Sequence, residues 1–480
     1  MQRSRVRRVG ALLVGLSLIA AACGDDDDDD ASSTEAPAET DAPSETEAPG
    51  TTTGDTEAPG TTGDTEAPGT TTGDSGPGTT AEGGEGGTVE AAPTCTGESD
   101  GALNIATVLP ETGNLAFLGP PEFAGAELAI QDINAAGGVL GADVTLDQGD
   151  SGDTSTDIAN QTVDRQLAAG ADAFIGAASS GVSFTFIDKL VENCKIHFSP
   201  ANTSPDFTTY DDGELYFRTA PSDVLQGRVL ADLMIADGIT NATFIALQDP
   251  YGEGLLEFSS GPFEEQGGQI VDSFTYDPNA PNFGAEVERV VSGNPDALVL
   301  IGFEESAQIL STLFESGFTA DQKAIYLVDG NVGNALGEQL PPGSLVGVKG
   351  TLPQTELDQD FRDRLMEVDP ALVDFSYSAE TYDAITIVAL AAALAGTDDP
   401  AAVAARINGV TRDGDKCTSY EECIALIEGG STDIDYDGPS GPQTFGPEGE
   451  PTEASFAILS YDENNQVSAG VPNEYRFAQI

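Results

Sequence analysis

Residues 101–480 predict an α/β fold of two doubly wound parallel-sheet lobes, and three observations carry that expectation. Short β-rich apolar runs alternate with segments of helical spacing, the pattern of parallel strands covered on both faces. The series restarts near residue 220. About 380 residues also exceed what one hydrophobic core usually serves.

The elements follow in order. LNIATVL (Leu103–Leu109) reads as the first strand, and Phe123–Ala135 as a helix with apolar residues at Leu128, Ala129, Ile130 and Ile133. DVTLDQG, ADAFIGA and CKIHFSP are further strands, separated by helices at Asp157–Leu167 and Phe184–Val191. In the second series Val224–Ile235 is a helix, ATFIAL a strand, Gly254–Gln266 a helix and QIVDSFTY a strand. Helix Phe283–Val291, strand DALVLIG, helix Ser306–Ser316 and strand KAIYLVD complete it. In such sheets ligands bind beyond the carboxyl ends of the strands, so the residues just after each strand are the candidates.

The N-terminus has a different character. Arg3, Arg5, Arg7 and Arg8 precede a short apolar run, Ala11–Ala20, and Ala20–Ala22 lead to Cys23 and six aspartates. That run is too short to span a bilayer and reads as an export signal, residues 1–22. The small residues before Cys23 resemble a bacterial lipobox, which implies a lipid on that cysteine. No later apolar run reads as long enough to span a membrane. Residues 24 to about 100 hold 21 acidic side chains and no Lys or Arg, and GDTEAPGTT recurs at Gly54 and Gly63. With few large apolar groups this segment reads as a disordered spacer between lipid and domain. A flexible chain of roughly 75 residues spans about 45–50 Å.

The whole chain carries −64; the signal contributes +4 and the tether −21, leaving −47 on residues 101–480. Such a surface repels nucleic acid and anionic lipid heads. Four cysteines remain outside the cytoplasm and predict two disulfides from three pairings. Cys417 and Cys423 bracket CTSYEEC as the local pair, which leaves Cys95 for Cys194. The spacing is not a zinc pattern, and no metal site is expected. The one histidine, His197, falls within a strand and reads as a core residue. HExxH, GxSxG, a Walker loop and a helix-opening GxGxxG are all missing, so neither an enzyme nor a cofactor site is indicated.

TGNLAFLGPPEFAGAELAIQDINAAGGVLG, from Thr112, resembles the opening of the leucine/isoleucine/valine-binding proteins of ABC importers, with Asp132, Ile133, Asn134, Gly137, Gly138 and Gly141 on the motif D-I-N-x-x-G-G-x-x-G. IGAASS (from Ile175), FSPANTSPDF (Phe198), DPYGEGL (Asp249) and FSYSAETYDAI (Phe375) follow in the family's order. The resemblance implies a type I periplasmic binding fold: two lobes, 101–219 with 352–450 and 220–351 with 451–480, joined by crossover strands near Thr219, Thr351 and Pro451.

What the resemblance implies about the site is an amino acid held at both ends. Ser180, with Ser179 beside it, and the pair Ala201 and Thr203 would meet the α-carboxylate, because free N–H groups at a helix start and hydroxyls are donors. Tyr251 and Asp329 would meet the ammonium from the opposite lobe, Asp329 standing where the family has glutamate and reaching roughly 1.5 Å less far. Leu118, beside Phe117, and Phe303 fall where amino-acid binders carry wall tyrosines, which makes the pocket drier. Glu304 and Glu305 read as a solvated helix start. The implied protein is a monomeric, lipid-anchored, extracytoplasmic binding protein that delivers a branched-chain or related amino acid to a membrane permease by hinge closure. Urea, a short amide or another small organic solute is the alternative ligand, and a sensing lipoprotein the alternative role.

Overall fold

The computed structural model describes residues 92–467 and 474–479. The expectations for the export signal, Cys23 and the tether up to residue 91 fall outside the described residues.

Five strands form the first sheet: β1 (Asn104–Val108), β2 (Thr145–Asp147), β3 (Ala173–Gly176), β4 (Ile196–Ser199) and β5 (Tyr216–Arg218). Their order is β2-β1-β3-β4-β5, and all pair in parallel. The second sheet opens with β6 (Asn241–Leu247), β7 (Gln269–Tyr276), β8 (Ala297–Ile301), β9 (Ala324–Leu327) and β10 (Lys349–Pro353). The chain then returns to the first lobe, where β11 (Asp415–Cys417), β12 (Ile434–Gly438) and β13 (Gly441–Pro442) make a small sheet. Finally β14 (Glu453–Ser460) and β15 (Glu474–Gln479) rejoin the second sheet, whose order is β15-β14-β10-β9-β8-β6-β7. Strand order reverses at β1 in one sheet and at β6 in the other, which sets a crevice at each switch point.

The central strands are apolar because both faces are covered: β8 (ALVLI) is buried throughout. β7 is an edge strand, and its residues alternate between exposed and partly buried up to the buried Tyr276. The glycine motif has a local reason. The Asn134 amide brackets Val144, accepting its N–H at 2.8 Å and donating to its carbonyl at 3.0 Å. Gly138 sits at φ +72°, where a Cβ would lie 2.0 Å from the Ala142 carbonyl oxygen. Only glycine fits there.

Several sequence expectations are corrected. The second sheet is mixed, since β14 runs antiparallel to both β10 and β15. Two helices start four residues early, at Gly119 and Pro250, because proline is tolerated in a first helical turn. The segment after β3 is not one helix: Ser180–Ser183 and Ile187–Glu192 are separate turns. One apolar helix, Ser378–Ala395, does reach membrane-spanning length, but 83% of it is buried inside the protein. It is the core helix of the first lobe, packed against Gly119–Ala135.

Cys95 pairs with Cys194 at a Cα–Cα distance of 5.8 Å, and Cys417 with Cys423 at 5.2 Å. Both fall within the disulfide range. His197 is buried in β4 with Nε2 2.7 Å from the Gly176 carbonyl, and burial lowers its pKa to about 3. It is therefore neutral at physiological pH.

Candidate functional site

The two sheets present their carboxyl ends to one another, and the predicted site residues lie just after those ends. Leu118 follows β1, Ser179 and Ser180 follow β3, and Ala201 and Thr203 follow β4. From the other lobe Tyr251 follows β6, Phe303 follows β8 and Asp329 follows β9. Leu115, Leu118, Ala178, Ala201 and Ala220 pack with Tyr251, Phe303 and Tyr377 in one continuous apolar cluster. Hydrogen bonds cross the seam. The Ser204 hydroxyl donates to the Pro250 carbonyl at 3.0 Å, and the Glu304 N–H to the Asn114 carbonyl at 3.3 Å.

Asp329 is the polar centre of this seam, and only 4% exposed. Its Oδ1 accepts from Tyr251 at 2.9 Å and from the Gln226 amide at 2.8 Å, and its Oδ2 accepts from Tyr377 at 2.7 Å. Tyr251 in turn stacks on Phe303, with ring centroids 5.4 Å apart and planes within 8°. The turn is tight, because a Cβ on Gly330 would lie 2.9 Å from both the Tyr251 hydroxyl and the Phe303 ring. Tyr377 is held at φ +60° and ψ +6°, a left-handed conformation uncommon for a tyrosine and costing about 1–3 kcal/mol. That strain aims its hydroxyl across the seam at Asp329.

Asp223 stands beside this centre at the start of helix Asp223–Ala236, fully buried, with neither carboxylate oxygen in an aligned hydrogen bond. The Thr203 hydroxyl lies against it without good alignment and is otherwise unpartnered. The Asp223 N–H donates to the Thr203 carbonyl at 2.8 Å. Burial, and then the charge of Asp329, push the Asp223 carboxyl well above the carboxylate range. Burial also raises Asp329, against the hydrogen bonds from Tyr377, Tyr251 and Gln226. Among the described residues no Lys or Arg forms an ion pair with either. The charge of buried Arg218, itself paired with Glu450, offsets the Asp223 shift only in part, so two neighbouring buried carboxylates still call for a ligand cation or for protons.

At the opposite end the donors are partly engaged. Ser179 caps its turn, accepting the Val182 N–H at 3.3 Å, and Ser180 Oγ accepts the Ser204 N–H at 3.3 Å. The Ala201 N–H points back to Ser199 Oγ at 3.2 Å. The Ser180 hydroxyl is left as a donor here, while the Thr203 hydroxyl faces Asp223. Glu305 departs from its expected place at a solvated helix start: its carboxylate accepts the Phe303 N–H at 3.0 Å and the Tyr276 hydroxyl at 2.8 Å, and burial raises its pKa. Glu304 is exposed. A surface cavity of about 490 Å³ between Pro110, Phe123, Glu127 and Val368 contains none of these residues.

Sequence reasoning missed Asp223, Gln226 and Tyr377. Asp223 had a signal, since Ser222-Asp223 opens a helix just after a strand. Tyr377 lay inside FSYSAETYDAI without a role.

The sequence profile of the periplasmic binding protein family matches residues 102–465. The chain belongs to that family. It is 29% identical over 311 residues to Leu/Ile/Val-binding protein homolog 1 of Brucella suis, covering 62% of this chain and 79% of that one. It is 26% identical to the uncharacterized protein MJ1266 of Methanocaldococcus jannaschii over 47% of this chain, and spans only 56% of that protein. Among solved structures it resembles the leucine-binding protein LivK of Thermotoga maritima, with a TM-score of 0.65 at 22% identity over 79% of this chain and 99% of that one. LivJ of Streptococcus pneumoniae, solved with isoleucine, gives 0.64 at 20% identity, over 78% and 99%. A solute-binding protein of R. palustris, solved with benzoate, gives 0.61 at 18%, over 78% and 98%. These likenesses establish the type I periplasmic binding fold.

Proposed function

We propose that this protein is the extracytoplasmic, lipid-anchored solute-binding component of an ABC importer for a branched-chain or related amino acid. The observation that carries the reading is the buried pair Asp223 and Asp329 at an apolar interlobe seam. An α-ammonium supplies there the positive charge that Arg218, already paired with Glu450, provides only in part. The α-carboxylate takes the hydroxyl proton of Ser180 and that of Thr203 once it turns from Asp223, and an aliphatic side chain packs among Leu115, Leu118 and Phe303. A ligand so held touches both lobes and favours the closed state, which a permease then engages. Nothing in this scheme requires a covalent step or a cofactor. A benzoate-like anion fits poorly, because the seam already holds two acids. A short amide or urea is the second reading, favoured by the raised Asp223 carboxyl, which can face a neutral ligand while protonated.

The test is a thermal-shift panel of the purified protein with amino acids, amides, urea and benzoate. A ligand at a hundred times its dissociation constant adds about 2.7 kcal/mol to the folded state. Leucine, isoleucine or valine is expected to raise the melting temperature by several degrees. A shift with urea or an amide alone would replace the ligand class and keep the transport role. Silence across the panel would turn attention to a sensing role.

A further inference from the structure

One buried guanidinium joins the hinge to the ligand loop. Arg218 is the last residue of β5, just before the first crossing, and is fully buried. Its Nε donates to Glu450 Oε2 at 2.8 Å, and its Nη2 contacts the same oxygen. Glu450 precedes Pro451 at the third crossing, and the Arg218 N–H donates to the adjacent Gly449 carbonyl at 3.0 Å. Arg218 Nη1 donates to the carbonyls of Ser204 at 2.7 Å and Asn202 at 3.3 Å, on either side of Thr203. Nη2 also reaches the Thr208 hydroxyl at 3.1 Å, itself 3.1 Å from each Glu450 oxygen.

The rest of the loop is tied as well. Asn202 donates to the Ala177 and Ala178 carbonyls at 2.9 and 3.0 Å, and Ser204 is held by Ser180 and Pro250. Thr203 Oγ has no aligned partner in this lattice and faces the Asp223 carboxylate. A buried ion pair is weak evidence for stability, since an apolar replacement often serves as well. A planar fork that satisfies several acceptors at once does something lysine cannot.

We infer that Arg218, with Glu450 as its counter-ion, is a positioning residue that fixes the Thr203 hydroxyl for ligand and couples it to the first and third crossings. The inference rests on the proposed amino-acid reading for its ligand, but it has a ligand-free readout as well.

The experiment is a double-mutant cycle of Arg218→Lys and Thr203→Val, with L-leucine as the probe, together with hydrogen exchange of the Asn202–Ser204 amides in ligand-free protein. Arg218→Lys is expected to weaken leucine about 30-fold and to speed exchange in the loop. Thr203→Val should cost about 10-fold in the wild type and no more than about 2-fold in the Arg218→Lys background. Additive losses with unchanged loop exchange would overturn the inference and leave Arg218 a packing residue. If Arg218→Lys does not fold, Glu450→Gln, which keeps the shape and an acceptor, enters the same cycle with the same criteria. If the wild type does not bind leucine, the ligand reading fails, and loop exchange alone decides: faster exchange supports the positioning role and unchanged exchange contradicts it.

Discussion

Asp329→Asn is expected to lower affinity for L-leucine by about 100-fold or more, while ligand-free protein stays folded. The substitution keeps the shape and most acceptors of the carboxylate, so Tyr251 and Gln226 retain a carbonyl oxygen to donate to. What it removes is the charge that an ammonium meets. In a buried seam that loss leaves the ligand cation with a poorly matched neighbour, the condition under which breaking a pair costs most. The ligand-free protein has less to lose, because burial already raises the Asp329 pKa and makes its ionised form costly. Calorimetric titration of leucine reads the affinity, and a melting curve reads the fold. An affinity within about 3-fold of the wild type would remove Asp329 from the ammonium site.

The ligand-free protein is expected to melt several degrees higher at about pH 5.5 than at about pH 8.5. Burial raises Glu380 to about 8, Asp383 to about 7 and Asp249 to about 7. Hydrogen bonds offset this only in part: Asp383 accepts from Tyr436 at 2.6 Å and from the Ser440 N–H at 2.9 Å, and Asp249 accepts the Gly252 N–H at 2.7 Å. Groups whose folded pKa lies above the unfolded value contribute stability that is complete below the ordinary carboxylate range. That stability is lost as pH rises through about 7 to 8. Folded protein therefore takes up protons across this window and gains stability on acidification. Relief of repulsion in so acidic a chain acts in the same direction, so variants must separate the two. Glu380→Gln and Asp383→Asn should each flatten the profile, whereas neutralising an exposed acid should leave its slope unchanged. A melting temperature that falls steadily from pH 8.5 to 5.5 would contradict the burial argument.

The sequence made the architecture legible because alternation of strand and helix is a local signal, repeated often enough to survive errors at any one boundary. It also pointed to the candidate residues of one interlobe seam, since the strand ends are readable and Ser180, Thr203, Tyr251 and Asp329 all follow one. What local pattern could not supply was contact between distant segments. Arg218 and Glu450 lie 232 residues apart, and Tyr377 reaches Asp329 from a different lobe. The conformation of Tyr377 at φ +60° leaves no mark in composition or periodicity. Helix Ser378–Ala395 escaped notice as a run of spanning length, because Thr381, Thr386 and two acids interrupt its apolar face. Glu305 was misplaced because a carboxylate near a helix start is usually solvated, whereas here Tyr276 folds over it.

At the proposed site an ammonium displaces a proton from the Asp223 and Asp329 pair, and proton release on binding measures that directly. L-leucine would be titrated calorimetrically at about pH 7 in buffers of different ionisation enthalpy, with isovaleramide as the neutral comparison. Leucine is predicted to bind with net release of protons, and isovaleramide to bind weakly without it. Binding of leucine with no proton released, or of isovaleramide as tightly as leucine, would contradict the ammonium site.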